Sequence, residues 1–321
     1  MNILIVKRRT IPLRILVNEA LLRRLPPNHP KRQEILKDLL IIRAGFKGEQ
    51  DIDYYLSLLD DNDFHIFQDL RIPQGSKHFQ IDLLLLSTKF ILLIENKNMP
   101  GIIEFDPDFK QVFRRYNDTT EVYDCPIDQV KRQVYQFRNW LKKHNINPLP
   151  LEFLVTYSNH GSILQNPSKN QEVFDRVSKG GNLIFKIGEF QNSHQKEILT
   201  LKDIKKLTKL LIKSHEPETA SIRKYNISPS EIIPGILCPA CDRFSMERIS
   251  RKWYCLHCGT SSTSAHEQAI LDYFLLIGRT ITNMQLRKFL LMPSRTIATY
   301  LLGNMDLKHT GSTKNRVYSK T

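Results

Sequence analysis

Strands alternating with helices through residue 215 predict an α/β core, and two smaller modules follow it. The first is marked by Cys238-x2-Cys241 and Cys255-x2-Cys258, two close pairs that read as a structural zinc ribbon over residues 236–262. The second, residues 263–321, opens with two capping boxes, Ser264 with Glu267 and Thr282 with Gln285, each leading an apolar-periodic helix. Ser294 caps a third helix across the short turn "MPS", which is helix-turn-helix spacing, and "LKHTGSTKNRVY" reads as a winged-helix-like hairpin turning at Gly311.

Within the core the elements come in order. Residues 11–40 read as helical and peripheral, broken by "PPNHP", and residues 1–36 form an amino-terminal helical extension. A long helix beginning near Lys47 carries the stripe Ile52, Tyr55, Leu56 and Leu59, with Glu49 on the buried-facing side of its first turn. "FHIFQDLRI" is a first strand, and "FQIDLLLLSTKFILLIENKN" is a hairpin of two apolar strands. Extended segments follow in "IIEFDPDFKQVFRRY" and "TEVYD". A helix then places Val130, Val134, Phe137 and Leu141 on one stripe, with Gln129 and Gln133 beside it one turn apart. "LEFLVTYS" and "NLIFKIGEF" are read as later strands, and "KEILTLKDIKKLTKLLIKS" as the last helix before a polar linker at 216–235.

The hairpin concentrates charge where it should be costly. A turn centred between Thr88 and Lys89 pairs residues whose numbers sum to 177, so Asp82 faces Glu95. Directly opposed Cβ atoms lie roughly 4.5–5.5 Å apart. Alternation puts Lys97 on the face of Glu95 and turns Asn96 away. Two carboxylates that close repel unless a cation sits between them, so removing Glu95 should leave the metal-free fold as stable or slightly more so.

Composition narrows the class. A chain with 41% hydrophobic and 25% charged residues is globular, and no apolar run reaches the ~20 residues of a membrane span. No signal-peptide order is present at the amino terminus, so a cytoplasmic protein is expected. The 47 Lys and Arg against 33 Asp and Glu give a net charge of +14, and four zinc-bound thiolates would lower it only to about +12. Such a surface favours nucleic acid over membrane as the partner. Arg295, Thr296 and Thr299 should face outward from the recognition helix for duplex DNA, and Lys314 and Arg316 should meet the DNA backbone from the wing. No P-loop, nucleophile elbow or dinucleotide fingerprint appears, which sets aside nucleotide hydrolysis and redox chemistry.

Glu49 on a helix, Asp82 on a strand and Glu95-Asn96-Lys97 on the next strand resemble the PD-(D/E)xK nuclease superfamily. More narrowly, "AGFKGEQDIDYYL", the hairpin followed by "GIIEFD", and "CPIDQVKRQ" resemble the nuclease-related domain, NERD, over residues 37–155 of a domain spanning 37–215. Ile81 precedes Asp82, so the literal Pro-Asp pair is absent. The resemblance implies a restriction-endonuclease-like core and a metal-dependent phosphodiesterase, a nuclease most readily of DNA. It implies Mg²⁺ or Mn²⁺ on Asp82, Glu95 and the backbone carbonyl of Asn96, supported by Glu49. Lys97 would orient the nucleophile or stabilise charge on phosphorus, and Gln129 would position substrate or close the site. The alternative is a non-catalytic DNA-binding or regulatory protein in which the nuclease-like domain only grips nucleic acid.

Overall fold

The computed structural model describes residues 5–59, 63–146, 150–219, 222–312 and 315–320. The chain divides into two compact units, Met1–Ile11 with Arg43–Glu218 and Pro12–Ile42 with Thr219–Thr321.

Among the described residues, six strands of the first unit form one mixed sheet. They are β1 (Ile5–Lys7), β2 (His65–Gln74), β3 (Lys77–Leu86), β4 (Ile91–Lys97), β8 (Leu151–Tyr157) and β10 (Val177–Lys179), in the order β1-β2-β3-β4-β8-β10. β3 runs antiparallel to both β2 and β4, while β8 runs parallel to β4. A side sheet, ordered β7-β6-β5-β9, is built from β5 (Gly101–Asp106), β6 (Gln111–Tyr116), β7 (Thr119–Asp124) and β9 (Ser162–Gln165).

Alternation along the strands sorts side chains into two cores. Leu84, Leu86, Ile91 and Leu93 pack with helix α3 (Pro126–Lys143) and helix α6 (Leu201–Ser214). Leu83, Leu85, Leu92 and Ile94 pack instead with helix α2 (Arg32–Leu56) and helix α5 (Leu183–Ser193). A short helix, α4 (Gln171–Arg176), precedes β10. The result is a nuclease-like α/β core with helices on both sheet faces.

Two expectations about the first unit are corrected here. The helix bearing Glu49 starts at Arg32, not near Lys47. Gly45 and Gly48 do not end it, because each costs only about 1 kcal/mol inside a helix, and Gly48 is needed where it stands. A Cβ on Gly48 would lie 2.3 Å from Asn98 Cβ and 2.6 Å from Ser158 Oγ, so only glycine lets α2 approach the ends of β4 and β8 this closely. "NLIFKIGEF" is helix α5, not a strand: Leu183 and Ile187, one turn apart, are fully buried while Phe185 between them faces solvent.

In the second unit, helix α1 (Leu13–Arg24) buries Ala20 and Leu21 completely, so residues 11–40 are not peripheral. The hydrophobic contact is completed by an ion pair in which Arg24 Nε donates to Asp272 Oδ2 at 2.7 Å, with both side chains buried. Arg24 also donates to the carbonyls of Ile233 and Gly235 and lies over the Phe289 ring, which satisfies its buried guanidinium. The zinc-ribbon sheet comprises β11 (Met246–Ile249), β12 (Lys252–Cys255) and β13 (Ser261–Ser262).

After it come α7 (Ala265–Leu276), β14 (Thr280–Thr282), α8 (Asn283–Leu290), α9 (Arg295–Gly303), β15 (Leu307–Thr310) and β16 (Val317–Lys320), with sheet order β14-β16-β15. Three helices with a strand after the first and a hairpin after the third make a winged-helix-like topology. The Thr282–Gln285 capping box forms and Ser294 caps α9 through Ile297 N–H. The Ser264 box does not form: Ser262 Oγ accepts from the backbone N–H of Ser264 and of Ala265, and the Glu267 N–H goes to the Ser264 carbonyl.

Candidate nuclease-like site and cysteine cluster

The β3–β4 hairpin has the expected register, Leu86↔Ile91 through Leu83↔Ile94. Beyond that pair the ladder stops. Asp82 Oδ2 accepts from Asn96 N–H at 3.0 Å, so its side chain fills the gap between the separating strands and does not simply stand opposite Glu95. The cause is visible on both strands. Phe67 and Leu70, and likewise Leu84 and Ile81, are three residues apart yet share one core. The inward alternation therefore slips by one at Asp69 and Asp82, and Asp69 has a left-handed φ of 53°. In a strand, N–H and C=O of one residue point the same way, so the Asn96 carbonyl also faces the Asp82 side. The Lys97 carbonyl points to β8, where it accepts from Ser158 N–H.

Glu95 is 3% exposed yet fully engaged. Its Oε1 accepts from Lys97 Nζ and Gln129 Nε2, both at 2.7 Å, and its Oε2 from Gln133 Nε2 at 2.8 Å. Gln129 Oε1 in turn accepts from Lys97 Nζ at 2.8 Å. The turn spacing of Gln129 and Gln133 on α3 brings both amides onto one carboxylate. Removing Glu95 thus strands three donors, so the expectation of an unchanged or more stable metal-free fold is replaced by a loss of about 1–3 kcal/mol.

Glu49 reaches the same region from α2. Its Oε2 accepts from Arg9 Nη1 at 2.6 Å, and Arg9 Nη2 donates to Asp53 at 2.8 Å. Gln68 joins this cluster, donating to Asp53 Oδ1 and accepting from Arg9 N–H. Burial pushes the Glu49 carboxyl up to about 7, Asp69 and Glu95 add to the rise, and the Arg9 guanidinium opposes it. Asp82 is held well above the usual carboxylate range by burial, then by the charges of Glu95 and Glu49. Asp82, Glu95 and Glu49 therefore share one electrostatic neighbourhood.

The raised Glu49 value has a testable sign. In the folded protein Glu49 keeps its proton up to about pH 7, whereas an unfolded chain releases it near 4.5. The folded state binds the extra proton, so this stabilisation is complete below about pH 4.5 and is lost as pH rises to about 7. In chelator, the stability of the parent relative to Glu49→Gln should fall across that window by up to about 3 kcal/mol. A pH-independent difference in urea melts would remove the basis for this assignment.

The donor set fits a hard divalent cation: two carboxylates, a strand-end carbonyl, and a buried Gln133 Oε1 that has no hydrogen-bond partner. Among the described residues, the four cysteines are the group of three or more metal-ligating side chains whose atoms lie within 4.8 Å of one another. Asp82, Glu95 and Glu49 do not form such a group. The Sγ atoms of Cys238 and Cys258 are 3.7 Å apart, and those of Cys241 and Cys255 3.6 Å apart, so all four are placed for a zinc site.

Of the residues expected to contact DNA, Arg295, Thr296 and Thr299 are exposed on α9, and Arg316 is half-buried before β16. Lys314 lies outside the described residues. The α9 surface is anchored by Asn283, whose Nδ2 donates to Arg295 O and Thr299 Oγ1.

Gln133, Arg9, Asp53, Gln68, Asp69 and Gly48 were not expected as site residues. Only Gln133 left a local sign, its spacing from Gln129. The others reach the site through contacts distant in sequence.

An α/β core with acids and a lysine gathered where β3 and β4 separate defines a nuclease-like domain. Residues 44–158 match the family described as NERD, nuclease-related domain, and the chain therefore carries a NERD domain. No curated protein and no solved structure matches the chain.

Proposed function

We propose that the NERD domain is a metal-dependent phosphodiesterase acting on nucleic acid, DNA in the first instance. The observation that carries this reading is the convergence of Asp82, Glu95 and Lys97 where β4 separates from β3, with Glu95 held by Lys97, Gln129 and Gln133. Asp82, Glu95 and the Asn96 carbonyl would hold Mg²⁺ or Mn²⁺. Such an ion, when bound, neutralises charge on the scissile phosphate and lowers the pKa of an attacking water. Lys97, oriented by Gln129, donates to the phosphoryl oxygens as their charge grows. Glu49, steadied by Arg9 and close to neutral in pKa, hydrogen-bonds the nucleophilic water and takes up its proton. The test is a panel of linear and circular DNA and RNA incubated with the full chain. Cleavage should vanish in chelator and return with Mg²⁺ or Mn²⁺. A protein that cuts nothing with any divalent metal and gains no stability from one refutes the reading.

The domain reading is residues 37–215 as nuclease-like domain, 236–262 as zinc ribbon and 263–321 as winged-helix-like module, with Met1–Ile11 supplying Arg9 to the first. Among the described residues, no helix is long and apolar enough to cross a membrane. A cytoplasmic location is favoured by four free thiols placed for metal.

A second reading, a DNA-binding regulator whose NERD domain does not cut, is favoured by the exposed Arg295, Thr296 and Thr299 on α9 together with the net charge of +14. Changing Arg295 to Ala should relax sequence preference on duplex DNA by about 1–3 kcal/mol at one position. Changing Arg316 to Gln should weaken all duplexes alike and lower the salt slope by about one. Unaltered binding by both variants in a salt titration would exclude α9 and the wing as the DNA surface.

A further inference from the structure

Three adjoining clefts run along the outer face of α3. The middle one, about 410 Å³, opens on Asp82 between Gln129, Gln133 and Arg132. Arg132 also lines a cleft of about 520 Å³ with Lys110 and Tyr135. Phe79 and Gln136 are shared in the other direction with a cleft of about 390 Å³ that contains Lys143 and Lys213. Arg132 stands between Gln129 and Gln133 at the level of the carboxylate site. Lys110 accepts through its carbonyl from Cys125 N–H at the start of α3, and Lys143 lies about 16 Å beyond Arg132, so cations flank the site.

These cations differ from the other charges around them. Lys131, also on α3, is neutralised by Glu172 at 2.6 Å. Lys110, Arg132, Lys143 and Lys213 are exposed and form no ion pair among the described residues, although Asp124 and Asp128 line the first cleft and Glu216 the third. Tyr135, beside Arg132, is 66% exposed. A bare aromatic ring costs solvent contact with apolar surface, but it is a stacking platform for an unpaired base. A duplex keeps its base faces stacked and offers this ring nothing comparable.

We propose that the α3 face is a track for single-stranded nucleic acid. Arg132 and Lys110 take the backbone on one side of the Asp82–Glu95 site, Lys143 and Lys213 take it on the other, and Tyr135 stacks a base. This rests on the nuclease reading of the middle cleft and adds to it the substrate class, an unpaired strand.

The test uses the full chain in chelator, so that binding is read without turnover. A fluorescent oligothymidine of about 12 nucleotides carrying photoreactive iododeoxyuridine is compared with a duplex of equal length. Cross-links should map to the α3 peptide containing Tyr135. Tyr135→Ala should weaken oligothymidine binding roughly tenfold with an unchanged salt slope. Arg132→Gln and Lys143→Gln should each lower that slope by about 0.7. Duplex affinity should respond less to all three. Cross-links confined to the carboxy-terminal module, or unaltered slopes in both charge variants, overturn the proposal. A parallel cleavage gel keeps the two readings separate: cleavage without α3 cross-links rejects the track alone, whereas α3 cross-links without cleavage support the track and reject the nuclease.

Discussion

Glu95→Gln is expected to abolish divalent-metal-dependent cleavage while leaving the protein folded. Glutamine keeps the shape of the side chain and an acceptor oxygen for Lys97 and Gln129, and its NH2 can donate to the unpartnered Gln133 Oε1 once that amide turns over. It removes the negative charge, however, and with it one of two carboxylates available to a cation. The stabilisation that Mg²⁺ or Mn²⁺ confers on the parent should disappear in the variant, because a ligand stabilises only the state that binds it. Glu95→Ala should lose cleavage too, but with about 1–3 kcal/mol of metal-free stability, since Gln133 Nε2 is buried and would have no acceptor. Lys97→Ala separates the roles: metal-induced stabilisation retained, turnover down by roughly 10²-fold or more. Melting curves with and without metal, read beside a cleavage gel, decide between these outcomes. If Glu95→Gln cuts as fast as the parent, the carboxylate pair is not the site of chemistry.

The second large effect concerns the cysteine cluster. Purified protein should carry one tightly bound zinc, and Cys255→Ser should release it and unfold the surrounding ribbon. Cys255 is buried at the end of β12, with Sγ 3.6 Å from Cys241 Sγ and near Ser245 Oγ. A hydroxyl there replaces a soft thiolate with a weak ligand in a site that needs four. The ribbon's strands have only four, four and two residues, so they depend on the metal together with the packing of Trp253 and Met246. Trp253 and Met246 belong to the same core as Ile270 and Leu286, so the winged-helix-like module should lose stability as well. The first unit, which contains the NERD match, has its own two cores, and its melting transition should persist. Metal analysis together with calorimetry checks both parts, and zinc-free protein from a chelator-free preparation would be decisive against the assignment.

The β3–β4 register was legible because two uninterrupted apolar strands and a short turn allow one alignment that buries both. The zinc cluster was legible from spacing, since each Cys-x2-Cys pair brings two thiolates to one metal by local geometry alone. The winged-helix-like topology could be read from its caps, and one failed: Ser262 Oγ takes the Ser264 N–H, and the Ser264 carbonyl takes the Glu267 N–H that its side chain would have accepted. "NLIFKIGEF" was misread because a short apolar run has nearly the same pattern as a strand or a helix.

What the sequence by itself determined is local: the hairpin pairing, the thiolate cluster, the α3 stripe and the identity of Asp82, Glu95 and Lys97 as the charged end of two buried strands. Tertiary structure alone decided how that charge is held. Arg9 meets Glu49 across 40 positions and Gln133 meets Glu95 across 38, and no periodicity reports contacts at that separation. It also decided that the helix bearing Glu49 runs through two glycines, because the space at Gly48 is set by Asn98 and Ser158 on other elements. Asp82's place in the strand gap follows from a slip shared with Asp69 on the neighbouring strand. Backbone periodicity is encoded residue by residue. Desolvation and charge pairing depend on which distant atoms the completed fold brings within a few ångströms.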